Sequence, residues 1–106
     1  MDNAIVAWDR VSAAGTLSND FGDASVSHTT STGIYTVTLD ASASLPGNLI
    51  TTANAELDAV PTTAANARLL YVDQAPSASV NSFRVLITNG SFVATDNDFM
   101  FVCTAR

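Results

Sequence analysis

From Ile34 the chain alternates, with Tyr35, Val37 and Leu39 on one side and Thr36 and Thr38 on the other. A repeat of two places successive side chains on opposite faces of an extended strand, whereas a helix needs apolar residues three and four apart. Ser31-Thr32-Gly33 stands immediately before this stretch as a turn. A weaker alternation, Ala24, Val26 and His28 against Ser25, Ser27 and Thr29, stands before the turn, so the two segments predict a β-hairpin. Three other segments, Ala4–Trp8, Leu69–Val72 and Asp98–Thr104, are apolar without alternating. Short runs of that kind predict inner strands that are covered on both faces.

Between these, Ala53 to Ala59 is helical by composition, but its apolar residues fall on every second position and predict an exposed strand that Pro61 ends. Phe83, Val85 and Ile87 alternate with Arg84 and Thr88 up to Asn89-Gly90. That dipeptide predicts a type I′ hairpin turn, with Phe92 onward pairing back across Ile87. Loops are expected through Pro46-Gly47, over Thr62–Asn66 and over Ala75–Ser79. The sum is about eight strands at intervals of roughly 8–12 residues. This predicts an all-β fold, an antiparallel, jelly-roll-like β-sandwich with little or no helix, formed as a single domain over residues 1–106. Nothing between the strands is long and amphipathic enough to be the crossover helix of a parallel sheet.

Composition changes the picture in three ways. Apolar residues are 47% of the 106, but much of that share is alanine, which leaves a thin core and favours burial against further copies of the chain. Ten carboxylates against four arginines and no lysine give a net charge of −6, which repels nucleic acid and offers nothing basic to an anionic membrane. Roughly a quarter of the residues are Ser or Thr, which keep a weakly charged strand surface hydrated. One cysteine, Cys103, excludes an intrachain disulfide and is expected to be a small buried apolar residue. The opening Met1-Asp2-Asn3-Ala4 lacks the basic and hydrophobic regions of a signal peptide.

Candidate chemistry is sparse. A hydrolase of the nucleophile-and-base type has only His28 to serve as base, and His28 reads as an ordinary strand or loop residue. One His and one Cys cannot make a zinc set. Asp96-Asn97-Asp98 and Asn19-Asp20 with Asp23 concentrate oxygen ligands, but the calcium-loop spacing is missing and both read as turns, so no metal and no cofactor is expected. Trp8 and Tyr71 could stack on sugar rings, with core or interface packing the better reading for Trp8. Arg10, Arg68 and Arg84 could contact an anionic sugar, though pairing with carboxylates is the plainer role.

Taken in order, Ala7-Trp8, Gly15-Thr16-Leu17, Ala24 to Thr29, Thr32-Gly33-Ile34-Tyr35-Thr36-Val37-Thr38-Leu39, Ser82-Phe83-Arg84-Val85 and Asp98-Phe99-Met100-Phe101-Val102 resemble the small β modules at the ends of phage tail fibres and of prophage-borne collagen-like fibre proteins. The resemblance covers nearly the whole chain outside Ser42–Val60. It implies a non-enzymatic virion component that forms a homotrimer, caps or assembles the fibre and meets the host surface. On that reading the doubly apolar strands bring Val6, Trp8, Phe99, Phe101 and Cys103 to the trimer interface. Asn66, Arg68 and Tyr71 become candidate contacts to a host glycan. Two other readings share this composition, a virion decoration or capsid-stabilising protein and a bacterial carbohydrate-binding module.

Overall fold

The computed structural model describes residues 4–18, 21, 24–39, 49–73 and 81–105. Among the described residues seven strands form: β1 (Ala4–Val11), β2 (Ser25–His28), β3 (Ile34–Thr38), β4 (Ile50–Ala55), β5 (Arg68–Asp73), β6 (Ser82–Asn89) and β7 (Phe99–Ala105). They pair antiparallel into a three-stranded sheet of order β1-β7-β4 and a four-stranded sheet of order β2-β3-β6-β5. The fold is therefore the all-β antiparallel sandwich expected from the sequence. A single 3-10 turn, Ala64–Asn66, is the only helical element among the described residues.

The period-two segments supply the inner faces. Tyr35 and Val37 of β3, Phe83, Val85 and Ile87 of β6, and Phe99, Phe101 and Cys103 of β7 are all buried, with Leu39 just past β3. Two aromatic edge contacts join the layers: Tyr35 to Phe99 with ring centroids 5.0 Å apart, and Phe83 to Phe101 at 5.3 Å. Each such pair contributes about 0.5–1.5 kcal/mol beyond the area it buries. Ala7 and Val11 of β1 complete the core from the other end of the chain.

The hairpin expected from Asn89-Gly90 forms a turn of another kind. Asn89 Oδ1 accepts the backbone N–H of Ser91 at 2.8 Å and of Val93 at 3.1 Å. Phe92, not Gly90, takes the left-handed conformation, at φ 65°. Type I′ needs positive φ at both central residues, so this turn is excluded. After it the chain makes one bridge, Ala94 to Thr88, and no return strand, so seven strands stand among the described residues where about eight were expected.

Three other expectations are corrected. The segments at 4–8 and 69–72 belong to β1 and β5, which lie at sheet edges and not inside. The edge at β1 is in part covered, because Leu17 and Phe21 bridge to Val11 and Trp8. The strand expected over 53–59 runs over Ile50–Ala55, and from Glu56 the chain leaves the sheet. Finally, Phe99, Phe101 and Cys103 point into the subunit's own core and have almost no surface to offer a neighbour. The other phase of β7, Met100 and Val102, faces outward. Val6 is the extra residue of a bulge between Ile5 and Ala7, and it packs partly against the same core. The loops expected through Pro46-Gly47 and over 75–79, and the Asn19, Asp20 and Asp23 cluster, lie outside the described residues.

Candidate functional site

One end of the sandwich is held by a polar loop, 94–98, whose side chains reach segments far away in sequence. Asp96 accepts the N–H of Ser31 at 2.7 Å through Oδ2 and of Gly33 at 2.9 Å through Oδ1, both in the β2–β3 turn. Asp98 accepts the Ala13 N–H at 2.7 Å. Asn97 Nδ2 donates to the carbonyls of Glu56 and Asp98, each at 2.8 Å, while its Oδ1 accepts from Arg68 Nε at 2.9 Å. The three oxygen-bearing side chains thus bind backbone and guanidinium groups of distant segments, which corrects the local turn expected from the sequence. Among the described residues no three His, Cys, Asp or Glu side chains are grouped to hold a metal.

His28 lies beneath this loop with 4% of its side chain exposed, its Nε2 3.2 Å from Asp96 Oδ2 and its Nδ1 2.8 Å from the Ile34 carbonyl oxygen. The ring stacks on Tyr35 at a centroid distance of 4.0 Å. Both ring nitrogens face oxygen atoms of the protein itself.

Tyr35 is the pin of this end. Its hydroxyl donates to the Ala13 carbonyl at 2.7 Å and accepts the Asn97 N–H at 3.2 Å. Burial pushes the phenol up from 10.0 to about 12; the Asn97 N–H opposes that and the charges of Asp96 and Asp98 add to it. The unfolded chain ionises at the ordinary value, so it holds fewer protons than the folded chain above that pH. Stability from this residue is full below 10.0 and is lost as pH rises through about 12. A base titration read by tyrosinate absorbance and circular dichroism is expected to show ionisation and unfolding together. Tyr35→Phe should remove that coupling and cost about 1–3 kcal/mol at neutral pH, because the Asn97 N–H and Ala13 carbonyl lose a partner. A phenol that ionises at its ordinary value in an intact fold would contradict the assignment.

The candidate glycan contacts separate. Asn66 and Arg68 line a groove of about 350 Å³ at this end, together with Glu56, Asp96, Asn97 and Asp98. Besides Asn97, the Arg68 guanidinium donates to the carbonyls of Ala65 and Ala67 at 2.9 and 2.8 Å. Arg68 therefore shapes the groove wall. Tyr71, half exposed, occupies the alternate phase of β5 and faces outward beside Leu86, away from the inward-facing Leu70 and Val72. Arg10 and Arg84 take the plainer role, in ion pairs with Glu56 and Asp73 at 2.6 and 2.8 Å. Hydrogen bonding from Arg10 holds the Glu56 carboxyl below the usual carboxylate range.

The second feature is the outer face of the three-stranded sheet. Register places Trp8, Val102 and Thr52 in one row across β1, β7 and β4, Arg10, Met100 and Asn54 in the next, and Ile5, Thr104 and Ile50 in a third. The five apolar members, Ile5, Trp8, Ile50, Met100 and Val102, are between 41% and 65% exposed. Phe21 extends the patch by stacking on Trp8 with ring centroids 5.6 Å apart. Of the residues expected at an interface, Trp8 alone stands on this open face. Cys103, directly behind it, is closed off, and burial pushes its thiol up to about 11.

Sequence reasoning missed Asp9, Phe21 and the outward phase of β7. Asp9 is buried in β1, in phase with Ala7 and Val11, and takes the Ser18 N–H at 3.1 Å, beside the Leu17 that bridges to Val11 at this edge. Its signal was present, a lone carboxylate on the apolar phase of a strand. Phe21 had none, since it stands among Asn, Asp and Gly with no period around it. Comparison with family models, with curated proteins and with solved structures finds no match to this chain.

Proposed function

We propose that this chain is a non-enzymatic module of a phage or prophage tail fibre, carried on the virion, that associates as a homotrimer to cap or assemble the fibre and to meet a glycan of the host surface. The observation that carries the reading is the apolar outer face of β1, β7 and β4. Ile5, Trp8, Ile50, Met100 and Val102 form adjoining rows on a sheet whose opposite face is already used for the core. Contiguous apolar patches of this kind mark association surfaces on soluble proteins. The face carries one charged side chain, Arg10, which Glu56 holds in a two-point contact, so little electrostatic cost opposes packing like against like. Symmetric packing would also shelter the free edges of the sheets.

In this arrangement the polar groove at the loop end stays open for host contact, and three linked copies bind a weak ligand with avidity. The test is mass in solution by light scattering. The chain is expected at three times its monomer mass at micromolar concentration. Val102→Arg, which places a charge at the centre of the face without touching the core, is expected to give a folded monomer. A wild-type chain that stays monomeric at high micromolar concentration overturns the reading.

A further inference from the structure

The outer faces of the two sheets differ in chemistry. That of β1-β7-β4 is apolar, whereas that of β2-β3-β6-β5 sets the hydroxyl side chains of Ser25, Ser27, Thr36 and Thr38 beside one exposed aromatic ring, Tyr71. Register places Tyr71, Leu86 and Ile34 in one row across β5, β6 and β3. The row alongside it holds Asp73, Arg84, Thr36 and Ser27. Tyr71 is 50% exposed, while Leu70 and Val72 on either side of it pack on the core, so the alternation of β5 holds the ring on the open face. Arg84 Nη2 meets Asp73 Oδ2 at 2.8 Å, and each side chain is 38% exposed. The pair has no net charge and sets donors and an acceptor side by side at the margin of an aromatic and aliphatic row.

We propose that this face is a site for a neutral pyranose ring, with Tyr71 as its stacking platform and the Arg84–Asp73 pair binding the sugar hydroxyls. A pyranose has a face of C–H groups that lies on aromatic carbon and a rim of hydroxyls that both donate and accept, which are the two surfaces offered here. An acidic sugar fits poorly, because the chain carries a net charge of −6 and Arg84 is already bound to a carboxylate. A second copy of the chain fits poorly too, since packing on this face would strip water from the hydroxyl row and the ion pair. The proposal rests on the reading that the chain meets a host glycan, and it places the ring contact away from the loop-end groove. There the Arg68 guanidinium is committed to Asn97, Ala65 and Ala67, and Asp96 and Asp98 to backbone N–H groups. Trimer packing through β1, β7 and β4 leaves the Tyr71 face open on every copy.

The test applies the full chain to an array of immobilised neutral and acidic glycans, then titrates the isotope-labelled chain with the neutral oligosaccharide that binds best. Binding to neutral pyranose oligomers is expected, with the amide signals of Tyr71, Arg84 and Leu86 shifting as sugar is added. Tyr71→Ala is expected to weaken binding about tenfold, the order of one lost aromatic contact, while Tyr71→Phe, which keeps the ring, stays within about twofold. Circular dichroism should show both variants folded, because the side chain stands outside the core. An array on which no neutral glycan binds overturns the proposal, and so does an unchanged affinity in Tyr71→Ala. Shifts confined to the groove residues 56–61 and 96–98 keep the host-glycan reading and overturn this site. A monomer that binds sugar through Tyr71 keeps the site and removes the trimer.

Discussion

Gly33→Ala is expected to be the most damaging single-methyl change in this protein, lowering stability by about 2–5 kcal/mol, a large share of what a domain of this size possesses. Two causes act together. Gly33 has φ +64°, where a side chain adds a steric cost that glycine avoids. A Cβ at this position would also be driven onto the Ile87 carbonyl oxygen and would lie 2.9 Å from the Thr95 nitrogen, both of them backbone atoms that cannot swing aside. The close approach has a purpose, since the Gly33 carbonyl accepts the Ile87 N–H at 2.7 Å and the Gly33 N–H reaches Asp96. Urea unfolding should show a lower midpoint with an unchanged slope. Gly90→Ala is the control, because its Cβ would meet Ala64 at 3.0–3.3 Å with no positive φ, and its loss should be much smaller. Equal losses at the two glycines would show that the turn at 33 does not have the close packing described.

The contrast between these glycines shows what the sequence could and could not reveal. The β2–β3 hairpin was legible because Tyr35, Val37 and Leu39 alternate with threonines and a turn stands before them, so both period and boundary are local information. The phase of β7 was not. Phe99, Met100, Phe101, Val102 and Cys103 are apolar at every position, so nothing local distinguishes the inward set from the outward one. The partner sheet decides, by offering Tyr35 to Phe99 and Phe83 to Phe101. The same ambiguity made β1 and β5 look like inner strands, when apolar residues on their outer faces instead stay exposed or half-buried.

Turn chemistry failed for a related reason. Asn89-Gly90 is a strong hairpin signal, but the Asn89 side chain takes the Ser91 and Val93 N–H groups and thereby moves the left-handed residue to Phe92. At the loop end, the reading of Asp96-Asn97-Asp98 as a turn closed on its own backbone is corrected, because Asp96 and Asp98 accept from backbone N–H groups of distant segments. Its partners are not readable from spacing, since Ser31 and Gly33 lie 65 and 63 positions away. The open apolar face is a sum over three strands far apart in the chain. No window of sequence contains it.

Asp96→Ala is the second large effect. It leaves the Ser31 and Gly33 N–H groups without an acceptor and removes the anion beside His28, and hydrogen bonds to charged groups of this kind support a loss of about 2–4 kcal/mol. Asp96→Asn keeps one acceptor and should lose roughly half as much. The acid limb of stability separates charge from shape. Burial raises the Asp96 carboxyl, but the N–H groups of Ser31 and Gly33 and the contact with His28 together outweigh it, so the group sits below its ordinary 3.8. In the unfolded chain it takes up its proton at the ordinary value, so on acidification the unfolded state binds more protons than the folded one. The contribution is therefore complete above 3.8 and disappears as pH falls through the lower folded value. Stability measured by urea across the acid range should fall steeply in the wild type and less steeply in Asp96→Asn. If the two slopes coincide, the carboxylate is not what holds the turn to the loop, and the anchoring must come from the neighbouring Gly33 and Ile87 backbone alone.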